Sequence, residues 1–155
     1  IKGVHIAIIV SKMAGKDLII AGHVGKFGDM GYAETIRSLA KSYGYRMVEN
    51  PSLDEKVELL SHAEAVILPS NWSVIGSQES FGITAVEALM SGKPVITSGD
   101  GGLKEIVTPE VGFVCRTMED YINAIKSVDK IDKKDIRKRA EYFTVERMAE
   151  EYLKL

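Results

Sequence analysis

Short apolar runs alternate with amphipathic stretches along most of the chain, in the rhythm strand, helix, strand, helix. "KDLIIAG" (16–22) reads as a buried strand ending at Gly22, and "YAETIRSLAKSYG" (32–44) as a helix stopped by Gly44. In that helix Ile36, Leu39 and Ala40 recur at helical spacing. "YRMVEN" (45–50) is a second strand, and "LDEKVELLSHA" (53–63) a helix with Ser52 as its N-cap. "AEAVILPS" (63–70) supplies a third strand, ended by Pro69. A helix from about Phe81 to Ser91 follows, then strand "PVITS", a turn of helix at "GLKEIV", a small strand "GFVC" and a charged helical tail from Met118. Such an order implies βαβ units, hence an α/β fold with a mainly parallel sheet and helices on both faces. "VHIAIIV" (4–10) is β-branched enough for a strand, yet its apolar run fits a buried helix equally well.

The 155 residues suit one domain with a real core. A net charge of -2 exerts no general pull on nucleic acid or anionic lipid. Basic clusters such as Lys133-Lys134 and Arg137-Lys138-Arg139 are interleaved with acids and read as a solvated helix face. The single cysteine, Cys115, lies in the apolar "VGFVC" and reads as a buried structural thiol. Three histidines and one cysteine show no metal-ligand spacing, so no metal is expected. No apolar run approaches the roughly 20 residues of a membrane span, and no signal-peptide pattern is present; the expected location is cytoplasmic. The chain opens on "IKGVHIAIIV" without a methionine, as if cut from something longer.

The chemistry concentrates in "QESFGITAVEALMSGKPVITSGDGGLKEIV" (78–107). In open α/β sheets ligands bind beyond the carboxyl ends of the strands, where loops and helix starts converge. Ser80-Phe81-Gly82 leads into a helix whose first N–H groups carry partial positive charge, a seat for phosphate. Glu79 precedes this seat, and Glu87 falls about two turns into the helix, roughly 9–12 Å away at 1.5 Å per residue. A carboxylate accepts two hydroxyl hydrogen bonds and so suits a vicinal diol. A nucleotide sugar has hydroxyls at both ends and a diphosphate between them. The plainer reading makes Glu79 a helix-start carboxylate favoured by the dipole and Glu87 a solvated side chain.

The same stretch closely resembles the E-x7-E signature of family 4 retaining glycosyltransferases, with its following Gly-Lys-Pro-Val-Ile strand and Gly-Gly-Leu turn. "ELLSHAEAVILPS" is similar to the helix and strand that precede the signature, "KDLIIAG" to an earlier strand, and "RAEYFTVERMAEEYLKL" to the C-terminal helix. The resemblance implies a Rossmann-like three-layer α/β/α domain, residues 1–155 being one half of a GT-B enzyme and the half that holds the donor. It makes "IKGVHIAIIV" the first helix. It places the family's first strand, an arginine that grips diphosphate and the N-terminal acceptor domain upstream of these residues. The isolated domain is then expected to bind donor weakly, or not at all, and not to turn over.

Residue by residue, the resemblance implies that Lys2 contacts the diphosphate and Glu79 the donor sugar, the two residues nearest the chemistry. Backbone at Ser80, Phe81, Gly82 and Ile83 meets the diphosphate, and Glu87 the ribose diol. Gly101, Gly102 and Leu103 form the turn near phosphates and sugar; Lys104 stands where the family often has proline. The base is expected near Asn50, Ser52 and Lys56, which also read as ordinary turn and surface residues. Lys2 also reads as a solvated terminal lysine, His23 as a loop histidine, and Trp72 as either a pocket wall or packing. Glu79 would orient the sugar rather than attack it, and neither cofactor nor metal is implied. The partners implied are the nucleotide sugar, an acceptor that is a glycan, lipid or small molecule, and the protein's own N-terminal domain, which would carry any membrane contact. A sugar-nucleotide epimerase half and a non-enzymatic nucleotide-binding module are the alternatives.

Overall fold

The structure is a computed structural model that describes residues 2–24, 30–70 and 79–154. Its elements run α1 (Val4–Ala14), β1 (Ile19–Gly22), α2 (Met30–Tyr43), β2 (Arg46–Glu49), α3 (Leu53–His62), β3 (Val66–Leu68), α4 (Ile83–Met90), β4 (Val95–Thr97), α5 (Leu103–Ile106), β5 (Gly112–Val114), α6 (Met118–Ile125), α7 (Lys133–Ala140) and α8 (Val145–Tyr152). The undecided first segment is helix α1. Its apolar residues face two cores, Ile8 one and Ile6 and Val10 the other.

The α/β reading holds; among the described residues every strand pair is parallel, and the strands form two sheets rather than one. β1 pairs with β2 from Ile19↔Arg46 to Gly22↔Glu49. β4 lies between β3 and β5, with Val95 opposite both Val66 and Gly112. Among the described residues no ladder joins the two sheets. Helix α1 spans the division: Ile8 packs with Ile20, Ile36 and Ala40, whereas Ile6 and Val10 pack with Ile96, Tyr121 and Ala124.

Alternation along β4 shows why the second sheet is a middle layer. Val95 joins a core built by Ala85, Val86, Ala88 and Leu89 of α4 with Ile136 and Ala140 of α7. Ile96 points the other way, into the core of α1 and α6. Successive strand side chains take opposite faces, and both faces of β4 are buried, as in a sheet covered on each side by helices. Cys115 lies in the α1/α6 core, and burial pushes its thiol up to about 12.

Local chemistry accounts for most boundaries. Ser52 and Glu55 close a capping box at α3, as do Thr117 and Asp120 at α6. Asp132 caps α7 and Thr144 caps α8, so the tail read as helix from Met118 is three helices separated by 3-10 turns. α2 starts at Met30 rather than Tyr32, because the helix accommodates Gly31. α4 starts at Ile83 rather than Phe81. The segment 71–78, with Trp72, lies outside the described residues. Among those described, no helix is long and apolar enough to cross a membrane.

Candidate functional site

The predicted residues gather at the carboxyl ends of the strands. Beyond β3 the chain returns at Glu79 and turns into α4 at Gly82, whose φ of 104° is a left-handed conformation that glycine adopts without penalty. The first intrahelical donors are Ala85 and Val86, both to the Gly82 carbonyl, so the N–H groups of Ile83 and Thr84 have no partner within the helix. Ile83 is 66% exposed and Phe81 50%, which leaves backbone rather than buried side chains to meet a ligand. Only Ile83 to Glu87 is helical, so Glu87 lies about one turn into α4, not two. The separation expected from helical rise over all eight positions therefore does not apply.

Each of the two glutamates is met by a lysine from a distant part of the chain. The Lys2 ammonium donates to the Glu79 carboxylate across 77 positions of sequence. Lys56, on α3, donates to Oε1 of Glu87 at 2.6 Å, and both side chains are partly exposed. These pairs place one cation on Glu79, which precedes the α4 start, and one on Glu87, a turn into the helix. Lys2 is thus not simply a solvated terminal lysine, and Lys56 stands beside Glu87.

The Gly101-Gly102 turn, which follows β4, presses directly on Glu79. Gly102 N–H donates to the Glu79 carbonyl at 2.8 Å. Gly101 has φ 57°, and a Cβ there would lie 2.1 Å from the same carbonyl oxygen. Leu103 N–H is committed to Asp100 O at 3.3 Å, and its side chain is 1% exposed. The amides of Gly102 and Leu103 therefore hold the turn itself, which forms a wall beside Glu79.

Asn50 joins the ends of β1 and β2. It adopts φ 52°, its N–H donates to Gly22 O at 2.8 Å, and its Oδ1 accepts from Val24 N–H at 3.1 Å. Oδ1 also lies 3.1 Å from Nδ1 of His23, so His23 is a partnered loop histidine. Ser52 Oγ accepts from Glu55 N–H at 3.2 Å in the capping box, which leaves the hydroxyl its proton and one lone pair.

One contributor escaped the sequence reading. Arg139, assigned there to a solvated basic face, donates from Nε to Ile106 O at 3.1 Å and from Nη2 to Glu105 O. Its guanidinium lies 5.1 Å from the centroid of Phe143, whose ring meets Phe81 edge-on at 6.2 Å. The available signal was spacing: Arg139 is three residues after buried Ile136 and shares its helix face.

A sequence model described as glycosyl transferases group 1 matches residues 3–144. The chain is 32% identical over 135 residues to the alpha-1,3/1,6-mannosyltransferase ALG2 of Dictyostelium discoideum, covering 77% of this chain and 30% of that protein. It is 28% identical over 123 residues to a trehalose synthase of Pyrococcus horikoshii, covering 76% of this chain and 28% of the relative. The chain thus spans about a third of the length of these curated relatives. AviGT4, a glycosyltransferase involved in avilamycin A biosynthesis, superposes with a TM-score of 0.76 at 24% identity over 99% of this chain and 46% of its own. Anabaena HepE in complex with UDP gives 0.69 at 22% identity over 99% and 46%. At such identities these likenesses establish the fold. By sequence, the chain belongs to the group 1 glycosyl transferases.

Proposed function

We propose that these residues are the donor-binding half of a retaining glycosyltransferase of the family 4 type, which takes a nucleoside-diphosphate sugar and passes its glycosyl group to an acceptor. The observation that carries this reading is the bracket of two carboxylates around the α4 start, each held by a lysine from elsewhere in the chain. The helix start and the two ammonium groups attract a diphosphate, while Glu79 and Glu87 offer acceptors for hydroxyls on either side. Two solved relatives were captured with UDP, and one of these also with UDP-glucose, which supports a donor of this chemical class.

In such a reaction the demanding event is departure of the nucleoside diphosphate as the anomeric carbon takes on oxocarbenium character. Negative charge grows on the leaving phosphate. In this reading Lys2 and the α4 N–H groups stabilise that charge, the kind of preorganised donor set that lowers such barriers most. Glu79 orients the sugar through its hydroxyls, and Glu87 fixes the ribose. These groups meet the phosphate charge with their own donors, so we propose transfer without a bound metal or other cofactor. We further propose that the acceptor wall belongs to an N-terminal domain outside these residues, with any membrane contact there, that these residues alone do not turn over, and that the protein works in the cytoplasm.

The test is calorimetric titration of the intact protein with UDP, GDP, ADP and their glucose conjugates. One nucleotide series binds, and Glu87→Gln weakens it by about 10–100-fold, the equivalent of one hydrogen bond to a charged group. Unchanged affinity in Glu87→Gln removes the ribose assignment. Binding of none of the six ligands refutes the donor site.

A further inference from the structure

We propose that Arg139 is a positioning residue for the donor site: a clamp that holds the Glu79–Gly82 loop and the Gly101–Gly102 turn together from behind. The inference rests on the donor-site reading above.

The α5 helix that continues the glycine turn is four residues long, a length with no stability of its own. Its position must be imposed from outside. Leu103 and Ile106 fix its inner side by burial. Its far end presents carbonyls that have no acceptor role left inside the helix, and a cation belongs there. Arg139 supplies both requirements, with Nε on Ile106 O at 3.1 Å and Nη2 on Glu105 O. A guanidinium reaches two adjacent carbonyls with its planar fork, which the single ammonium of lysine does not reproduce.

The same guanidinium backs the other loop. It lies 5.1 Å from the Phe143 centroid and 5.5 Å from that of Tyr142, within reach of attraction to both ring faces. Phe143 meets Phe81 at 6.2 Å and 73°, an edge-to-face pair. Phe81 directly precedes Gly82, the N-cap of α4. On the ligand side the two loops are already locked by Gly102 N–H on Glu79 O at 2.8 Å. Arg139 therefore touches the second anchor of each loop. Its own base is firm, because Ile136 and Ala140 of α7 lie in the core shared with α4. Arg137 and Lys138, its sequence neighbours, are exposed.

Two measurements on the intact protein test this. The first needs no ligand: amide hydrogen exchange by NMR in wild type, Arg139→Met and Arg139→Lys. Exchange of the Gly102 and Val107 amides is expected to accelerate about tenfold or more in Arg139→Met, with the Val95 amide in β4 unchanged. The second compares UDP, GDP and ADP with UMP, GMP and AMP by calorimetry. For the nucleotide that wild type binds, Arg139→Met is expected to lose about tenfold on the diphosphate and less than about twofold on the monophosphate. Arg139→Lys should recover part of the loss. Equal losses on both nucleotides would mark general destabilisation and overturn the proposal, as would unchanged exchange at Gly102 or unchanged diphosphate affinity. Failure of wild type to bind any nucleotide would remove the donor-site reading and the clamp's role in it. Binding by wild type with no selective loss in Arg139→Met would remove the clamp alone.

Discussion

Replacing Gly101 with alanine separates two effects that usually travel together. At φ 57° any L side chain meets the left-handed penalty, about 1–2 kcal/mol. The added Cβ would also sit 2.1 Å from the Glu79 carbonyl oxygen, although real Cβ atoms come no closer than 3.0 Å, so the two backbones must part by roughly 0.9 Å. That movement breaks the hydrogen bond from Gly102 to the same oxygen, at a further cost of about 1 kcal/mol. Gly15 is the matched control. It has φ 70°, ends α1, and a Cβ added there would meet nothing within 4 Å, so Gly15→Ala carries the backbone penalty alone. Urea unfolding should place Gly101→Ala about 2–3 kcal/mol below wild type and Gly15→Ala about 1–2 below. For a chain of this size that corresponds to losses of about 5–10 °C and 2–6 °C in Tm. If the proposed function holds, a displacement near 1 Å at Glu79 also lowers the transfer rate of the intact protein by about a hundredfold, while Gly15→Ala leaves it unchanged. Equal destabilisation by the two variants would refute the interlock between the glycine turn and Glu79.

Three further outcomes follow from the caps and the core. Ser52→Ala should cost about 1 kcal/mol in urea unfolding at pH 7, the usual worth of an N-cap, and a cost under about 0.3 would show that the capping box is idle. The capping carboxylates also set an acid dependence. Backbone N–H of Ser52 holds Glu55 below the ordinary carboxylate range, and backbone N–H groups of Arg116 and Thr117 do the same for Asp120. A depressed folded pKa gives stability that is fully present above the unfolded value near 4 and is lost as pH falls through the folded value. Urea unfolding from pH 7 to 2 should therefore show a shallower acid decline in Asp120→Asn than in wild type, and identical slopes would exclude Asp120 as a contributor. Cys115, buried with its thiol raised to about 12, should resist a thiol-specific disulfide reagent at pH 8 until the protein is unfolded; rapid reaction of the native protein would contradict its place in the core.

Much of this protein was legible in its sequence because much of its order is local. Helical spacing in Ile36, Leu39 and Ala40, the Ser52 cap and the apolar run Val66–Leu68 each report on a few neighbouring residues, and each predicted element stands close to its expected place. The bracketing of a helix start by Glu79 and Glu87 was visible for the same reason. Where the reading missed, the deciding interaction was remote. Seventy-seven residues separate Lys2 from Glu79, and 31 separate Lys56 from Glu87, and no local pattern announces either pair. Arg139 looked like part of a charged surface because its partners are carbonyls 33 and 34 positions earlier, groups that sequence never distinguishes from any other carbonyl. Element type and glutamate spacing thus belonged to the sequence, since periodicity and capping act within a turn or two of the backbone. The division into two sheets, the lysine on each glutamate, and the glycine turn pressed on Glu79 belonged to the tertiary structure, since only strand order decides which distant backbones meet.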